Sequence, residues 1–274
     1  DKRGHRSEVK PAASSARKPL PIGVSDYRDA CKNYYYVDKT LMIKEFLDER
    51  PKVSLFTRPR RFGKTLNMSM VENFFSIQSK AEENLFTGLE IWKEEKYWEL
   101  HGKYPVIFLS FASVKGDTYS DVREGIVQTI LDLYAKYDYL RQSDALNEKE
   151  KAYFDYVNGE MSNTIAAMAL RRLSLCMSLY YGKKVLILLD EYDTPLQEAY
   201  VKGYWNELTS FMSSLFNYTF KTNPYMERGL LTGITRVSKE SIFSDLNNLE
   251  IVTTTSNKYS TSFGFTEEEV RNAL

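Results

Sequence analysis

Five consecutive aliphatic residues, Val185–Leu189 (VLILL), run straight into two adjacent carboxylates, Asp190 and Glu191. Successive side chains of a strand point to opposite faces, so an unbroken aliphatic run has to be covered on both sides. A parallel sheet flanked by helices supplies that cover. The run therefore predicts a central strand of an α/β domain, with Asp190 and Glu191 at its C-terminal end. In open parallel sheets that end is where ligands bind.

The rest of the chain agrees with this architecture. Val53–Thr57 (VSLFT), Val106–Phe111 (VIFLSF) and Gly229–Thr235 (GLLTGIT) read as further strands. Between them, apolar residues recur at helical spacing. Thr65–Ile77 carries Leu66, Met70, Phe74 and Ile77, and a second helix carries Val122, Ile126, Ile130, Leu133 and Tyr137. The start of that second helix, Thr118-x-x-Asp121, has the form of a capping box. A helix over Thr164–Tyr181 is terminated by Gly182. Another has Leu208, Phe211, Met212, Leu215 and Phe216 on one face. Alternating strands and helices predict a three-layer α/β fold with a mostly parallel sheet.

The segment Arg58-Pro-Arg-Arg-Phe-Gly-Lys-Thr65 follows the first strand and opens a helix, the context of a P-loop. Phosphate oxygens need several N–H donors at close range, and a helix N-terminus provides them with a favourable dipole. Nucleotide contacts are expected from Arg60, Arg61, Phe62, Gly63, Lys64, Thr65 and Leu66. Gly63 lets the backbone approach, Lys64 reaches the terminal phosphates and the Thr65 hydroxyl ligates Mg²⁺. Arg58 stands where the pattern GxxxxGK[ST] begins with glycine.

The two carboxylates complete the constellation expected of a P-loop NTPase. Asp190 holds Mg²⁺ through water, opposite Thr65, and Glu191 orients and polarises an attacking water. A glutamate directly after the metal-binding aspartate suits ATP hydrolysis better than transfer to an organic acceptor. Thr232 is the first choice for a residue sensing the γ-phosphate. Arg236 is a candidate phosphate-facing cation, with an exposed surface arginine as the alternative. Asp193 reads as a local turn or cap, with another site carboxylate as the alternative.

Thirty-seven basic and thirty-seven acidic residues cancel, so no whole-molecule field draws the chain to nucleic acid. The absence of a long apolar run argues against a membrane span. Cys31 and Cys176 lack ligand spacing and fit reduced thiols in a cytoplasmic protein. Residues 1–18 have few large apolar side chains and read as a flexible leader. The ATPase domain is expected over 19–262. Thr266-x-x-Glu269 opens a helix near the end, so 263–274 is expected to begin a helical lid or linker of a longer protein.

The chain resembles the bacterial AAA-ATPase-like family of mobile-element-associated proteins. The resemblance rests on PIGV (21–24), YVDKT (36–40), TRPRRFGKT (57–65), LLDEYD (188–193), TGITR (232–236), SIFSDLNNL (241–249) and FGFTEEEV (263–270). It implies ATP and Mg²⁺ as ligands, a loop that begins with Arg58 rather than glycine, and a role as a switch for an effector. It also implies a C-terminal nuclease-like partner domain of the PD-(D/E)XK type beyond these residues, and self-association is a further candidate. Tyr36 is expected either to lie over the adenine or to belong to a segment whose Asp38 and Thr40 cap the next helix. The rival functions are a non-turning-over nucleotide-binding module and a nucleic-acid binder using Arg58, Arg60, Arg61 and the basic leader.

Overall fold

The computed structural model describes residues 18–79, 85–235 and 242–274. In chain order the elements begin with helices α1 (Tyr27–Asn33) and α2 (Leu41–Asp48), strand β1 (Val53–Thr57) and helix α3 (Lys64–Phe75). They continue with α4 (Glu95–Trp98), β2 (Val106–Ser110), α5 (Tyr119–Lys136), α6 (Glu148–Tyr156), α7 (Asn163–Tyr181) and β3 (Val185–Asp190). Then come α8 (Thr194–Lys202), α9 (Trp205–Phe216), β4 (Met226–Gly233), β5 (Leu249–Val252) and α10 (Glu267–Ala273).

All five strands are parallel, in the order β2-β3-β4-β1-β5. The strand carrying Asp190 is thus separated from the strand feeding the loop by β4, and Thr232 lies on that intervening strand. Every residue of β3 is buried, as its aliphatic run requires. Val185, Ile187 and Leu189 face a core shared with α5, α7 and α9. Leu186 and Leu188 face the opposite core, shared with α1, α2 and α3. The resulting three layers are helices, sheet, helices. By the same alternation Asp190 falls on the α3 side, where Thr65 lies.

Element ends depart from the sequence expectation for identifiable reasons. α3 stops at Phe75 rather than Ile77 because Gly102 and Tyr104 N–H groups take the carbonyls of Phe74 and Phe75, and Ile77 pairs with Tyr104. β4 stops at Gly233 rather than Thr235 because the N–H groups of Ile234 and Thr235 donate to the Asp193 carboxylate instead of a ladder partner. It also begins earlier, at Met226. β5, paired with β1 at the sheet edge, had no counterpart in the sequence reading. The caps at Thr118 and Thr266 form as the sequence indicates, and Gly182 closes α7.

The last residues lie against the loop that precedes α3. Phe263 packs on Phe56 at 5.3 Å between ring centroids, and the Gly264 N–H donates to the Phe62 carbonyl. Asn67 Nδ2 donates to the Ser262 carbonyl at 2.6 Å. α10 is tied back through the buried Lys39, whose Nζ lies 2.7 Å from Glu269. Among the described residues no helix is long and apolar enough to cross a membrane.

Candidate functional site

The loop between β1 and α3 is built around two residues in left-handed conformation, Arg61 and Gly63, with φ of 65° and 76°. They fold the chain back over the N-terminus of α3, whose first N–H groups have no intrahelical acceptors. Arg60, Arg61, Phe62 and Gly63 are exposed on this loop, Lys64 is buried, and Thr65 and Leu66 are half-buried. Leu66 turns its side chain into the α3-side core, so only its N–H is available to a ligand. Phe62 packs beside Gly264, where an added Cβ would stand 3.1 Å from its ring.

Arg58 does not face this loop's ligand side. The residue is 5% exposed, and its guanidinium lies 4.8 Å from the Phe263 ring centroid and donates to the Thr57 and Val252 carbonyls at 3.0 and 2.9 Å. It therefore joins the C-terminal ends of β1 and β5 beneath the loop. Burial pushes its pKa down from the usual guanidinium value. Arg58 is accordingly withdrawn from the group of arginines offered to a nucleic-acid backbone.

Lys64, Thr65, Asp190, Glu191 and Thr232 converge. Thr65 Oγ1 donates to Asp190 Oδ2 at 2.8 Å, and Thr232 Oγ1 donates to Asp190 Oδ1 at 2.6 Å. Ser110, at the end of β2, adds a longer hydroxyl contact to Oδ2 at 3.3 Å. Asp190 is thus a fully buried carboxylate surrounded by hydroxyls from α3, β2 and β4. Lys64 Nζ donates to the Arg58 and Pro59 carbonyls at 3.1 and 3.0 Å and lies 3.3 Å from Glu191 Oε1.

Glu191 has φ 51°, a left-handed conformation that costs a non-glycine residue about 1–3 kcal/mol. Its N–H donates to Thr232 Oγ1, and the Tyr192 N–H donates to the Thr232 carbonyl. This turn carries the Glu191 carboxyl toward Lys64 instead of continuing the strand. Burial pushes that carboxyl up from its ordinary pKa, Lys64 opposes the rise and the Asp190 charge adds to it.

A cavity of about 240 Å³ opens beside these groups. Arg60, Thr65 and Glu191 line it, together with Lys115, Gln197 and Glu198. The last three were missed from the sequence, as was Ser110. Ser110 could have been found as the final residue of a strand whose C-terminal end faces the site. The oxygens of Thr65, Asp190 and Ser110 are hard donors, a set that fits Mg²⁺ shared with phosphate oxygens.

Two sequence expectations meet a different outcome. Thr40 does not cap α2 with its side chain: Asp38 accepts from the Thr40 N–H and hydroxyl, while Thr40 Oγ1 accepts from the Ile91 N–H. Both residues fasten the start of α2 to the Glu90–Lys93 turn, whose Glu90 N–H also donates to Asp38. Asp193 occupies the N-cap position of α8 without accepting a capping bond from it. Tyr36 stands edge-on to Tyr27 and lines a separate cavity of about 620 Å³. Arg236 lies outside the described residues, as do residues 1–17 of the leader.

The chain is 28% identical over 258 residues to an uncharacterized protein in the vnfD 5′ region of Azotobacter chroococcum mcd 1. That alignment covers 93% of this chain and 44% of the relative, so the chain spans less than half of that protein's length. No solved structure matches. The family described as predicted AAA-ATPase matches residues 21–243, a span holding the loop, both carboxylates and Thr232. With its five-stranded parallel sheet and the polar cluster at the strand ends, the chain belongs to this family and forms a nucleotide-binding, ATPase-like domain.

Proposed function

We propose that the chain binds Mg-ATP on residues 60–66 and hydrolyses it with Glu191, acting as a switch for an attached or partner effector. The observation that carries this reading is the pairing of Thr65 with Asp190 at 2.8 Å alongside the pairing of Lys64 with Glu191 at 3.3 Å. The contact of a lysine suited to phosphate with a glutamate suited to orienting water supports a reaction at this point.

The residues divide the work. The α3 N-terminus and the loop N–H groups receive phosphate oxygens. Lys64 exchanges its carbonyl contacts for phosphate, a better partner for an ammonium group. That exchange draws Lys64 away from Glu191 and leaves the carboxylate free to accept a proton from water. Thr232 keeps Asp190 Oδ1 engaged, so Oδ2 remains directed at Thr65. When bound, Mg²⁺ supplies positive charge that offsets the charge developing on the transferred phosphoryl group.

Calorimetric titration of Mg-ATP into the wild type and Lys64→Ala tests the binding half. Binding by the wild type and none by the variant is expected; equal affinities would remove the loop from the site. Phosphate release by Glu191→Gln tests the chemical half. A fall of about a hundredfold is expected at unchanged affinity. Turnover equal to wild type would leave a binding module without this catalytic glutamate. The effector is sought in the remainder of the longer Azotobacter relative, of which the alignment covers 44%.

A further inference from the structure

Asp193 is fully buried, yet neither carboxylate of the proposed chemistry touches it in any hydrogen bond. Its position before Thr194-Pro195 is that of a helix cap, but its side chain bonds none of the first N–H groups of α8. Instead four donors converge on its Oδ2. They are the N–H groups of Ile234 and Thr235 at 3.0 and 2.8 Å, Thr235 Oγ1 at 2.9 Å and Gln197 Nε2 at 3.1 Å. Its Oδ1 has no hydrogen-bond partner among the described residues. Three of the four donors come from the segment just past β4 rather than from α8, which a side chain that only terminated the helix would not require.

The segment it grips is the continuation of β4. Tyr192 holds the same segment as well: its N–H donates to the Thr232 carbonyl and its hydroxyl to the Thr235 carbonyl at 2.8 Å. Between them Gly233 is pressed so closely that an added Cβ would lie 2.5 Å from the Tyr192 ring and 2.8 Å from Asp193 Oδ1. The result is a clamp of side chains from the β3–α8 turn around the end of β4. Immediately upstream on the gripped strand, the Thr232 hydroxyl bonds Asp190. Ile234 and Gln197, both held by Asp193, line the cavity beside Glu191.

We propose that Asp193 is a positioning residue for recognition of the terminal phosphate, holding Thr232, Ile234 and Gln197 in place around the cavity. This rests on the reading that the cavity receives ATP. Ligands that end at the β-phosphate engage the loop and Lys64, whereas the third phosphate extends toward Glu191 and the end of β4. Loss of the clamp therefore acts on nucleoside triphosphate and spares the diphosphate. Asp193→Asn keeps the shape and one acceptor, so it should weaken the clamp less than Asp193→Ala.

The test measures the affinities of Mg-ATPγS and Mg-ADP for the wild type, Asp193→Ala and Asp193→Asn. Hydrogen exchange at the Ile234 and Thr235 amides is followed in the same proteins without nucleotide. The expected result is faster exchange at both amides and at least a fivefold change in the ATPγS-to-ADP affinity ratio for Asp193→Ala, with ADP affinity within twofold of wild type. An affinity ratio unchanged in Asp193→Ala overturns the proposal, and so does unchanged exchange at 234 and 235. If Asp193→Ala fails to fold, Asp193→Asn decides: a ratio shifted at least twofold supports the role and an unchanged ratio ends it. A wild type that binds both nucleotides alike has no discrimination for Asp193 to set, which also ends it. A folded wild type that binds neither overturns the ATP reading itself, an outcome distinct from binding that Asp193 does not influence.

Discussion

Replacing Arg58 by glycine would restore the residue with which the common phosphate-loop pattern begins, and the geometry predicts that this restoration is harmful. Arg58 Nη1 donates to the Thr57 and Val252 carbonyls, and its guanidinium lies over Phe263. Each hydrogen bond to a charged group contributes about 1.5 kcal/mol net, and the ring contact about 1 kcal/mol. Glycine adds chain entropy to the unfolded state, about 0.5–1 kcal/mol. Part of this sum is returned because the guanidinium no longer has to be desolvated, an effect already visible in its lowered pKa.

The net expectation is a loss of roughly 3 kcal/mol, which for a domain of this size lowers Tm by about 6–12 °C. Urea unfolding without nucleotide reads the loss as a lower midpoint at unchanged slope. Arg58→Lys should fall between, because a single ammonium cannot reproduce a planar fork that both stacks and donates. The reasoning is refuted if Arg58→Gly stays within about 0.5 kcal/mol of wild type, the spread of ordinary surface substitutions. Tighter Mg-ATP binding by the glycine variant would refute it equally.

Three other outcomes follow from the site and the core. On the proposed mechanism hydrolysis needs ionised Glu191, whose pKa is raised by burial, so kcat/KM should fall on acidification at a higher pH than an unburied glutamate would give. A pH profile of Glu191→Gln should lack that limb; a limb that persists assigns it to another group. Thr232→Val removes the 2.6 Å donor to Asp190 and the acceptor for the Glu191 N–H, and should lower turnover at least tenfold while costing about 1–2 kcal/mol of stability. Turnover within twofold of wild type would exclude Thr232 from the site. Leu188→Ala empties a fully buried position in the sheet and should cost about 2–5 kcal/mol in denaturant unfolding, a smaller loss meaning that the α3-side core closes over the gap.

What could be read from the sequence was what local pattern determines. The aliphatic run of β3 required cover on two faces, and its alternation sends Leu186 and Leu188 to one core and Ile187 and Leu189 to the other. β5 escaped because four residues, three of them half-exposed, carry little pattern of their own; pairing with β1 makes them a strand. Arg58 looked like a defective loop glycine because its partners, Val252 and Phe263, come from the far end of the chain. Asp193 looked like a cap because a following Thr-Pro is what a helix start resembles, while three of the four donors it binds lie just past β4, some forty residues on.

The same distinction explains why the site is where it is. Strand alternation alone would send Asp190 to the α3 face and Glu191 to the other, too far apart in direction to serve one phosphate. The left-handed turn at Glu191 cancels that divergence by redirecting the chain after Asp190, so that one carboxylate meets Thr65 and the next meets Lys64. Such a turn is unfavourable for glutamate on its own and persists because neighbours determine it. Those neighbours are Thr232, which accepts from the Glu191 N–H, and the Tyr192–Asp193 clamp, which fixes the strand bearing Thr232. The acidic pair is therefore visible in the sequence as two letters, but its use as a pair depends on a strand some forty residues later, whose Thr232 hydroxyl joins both halves.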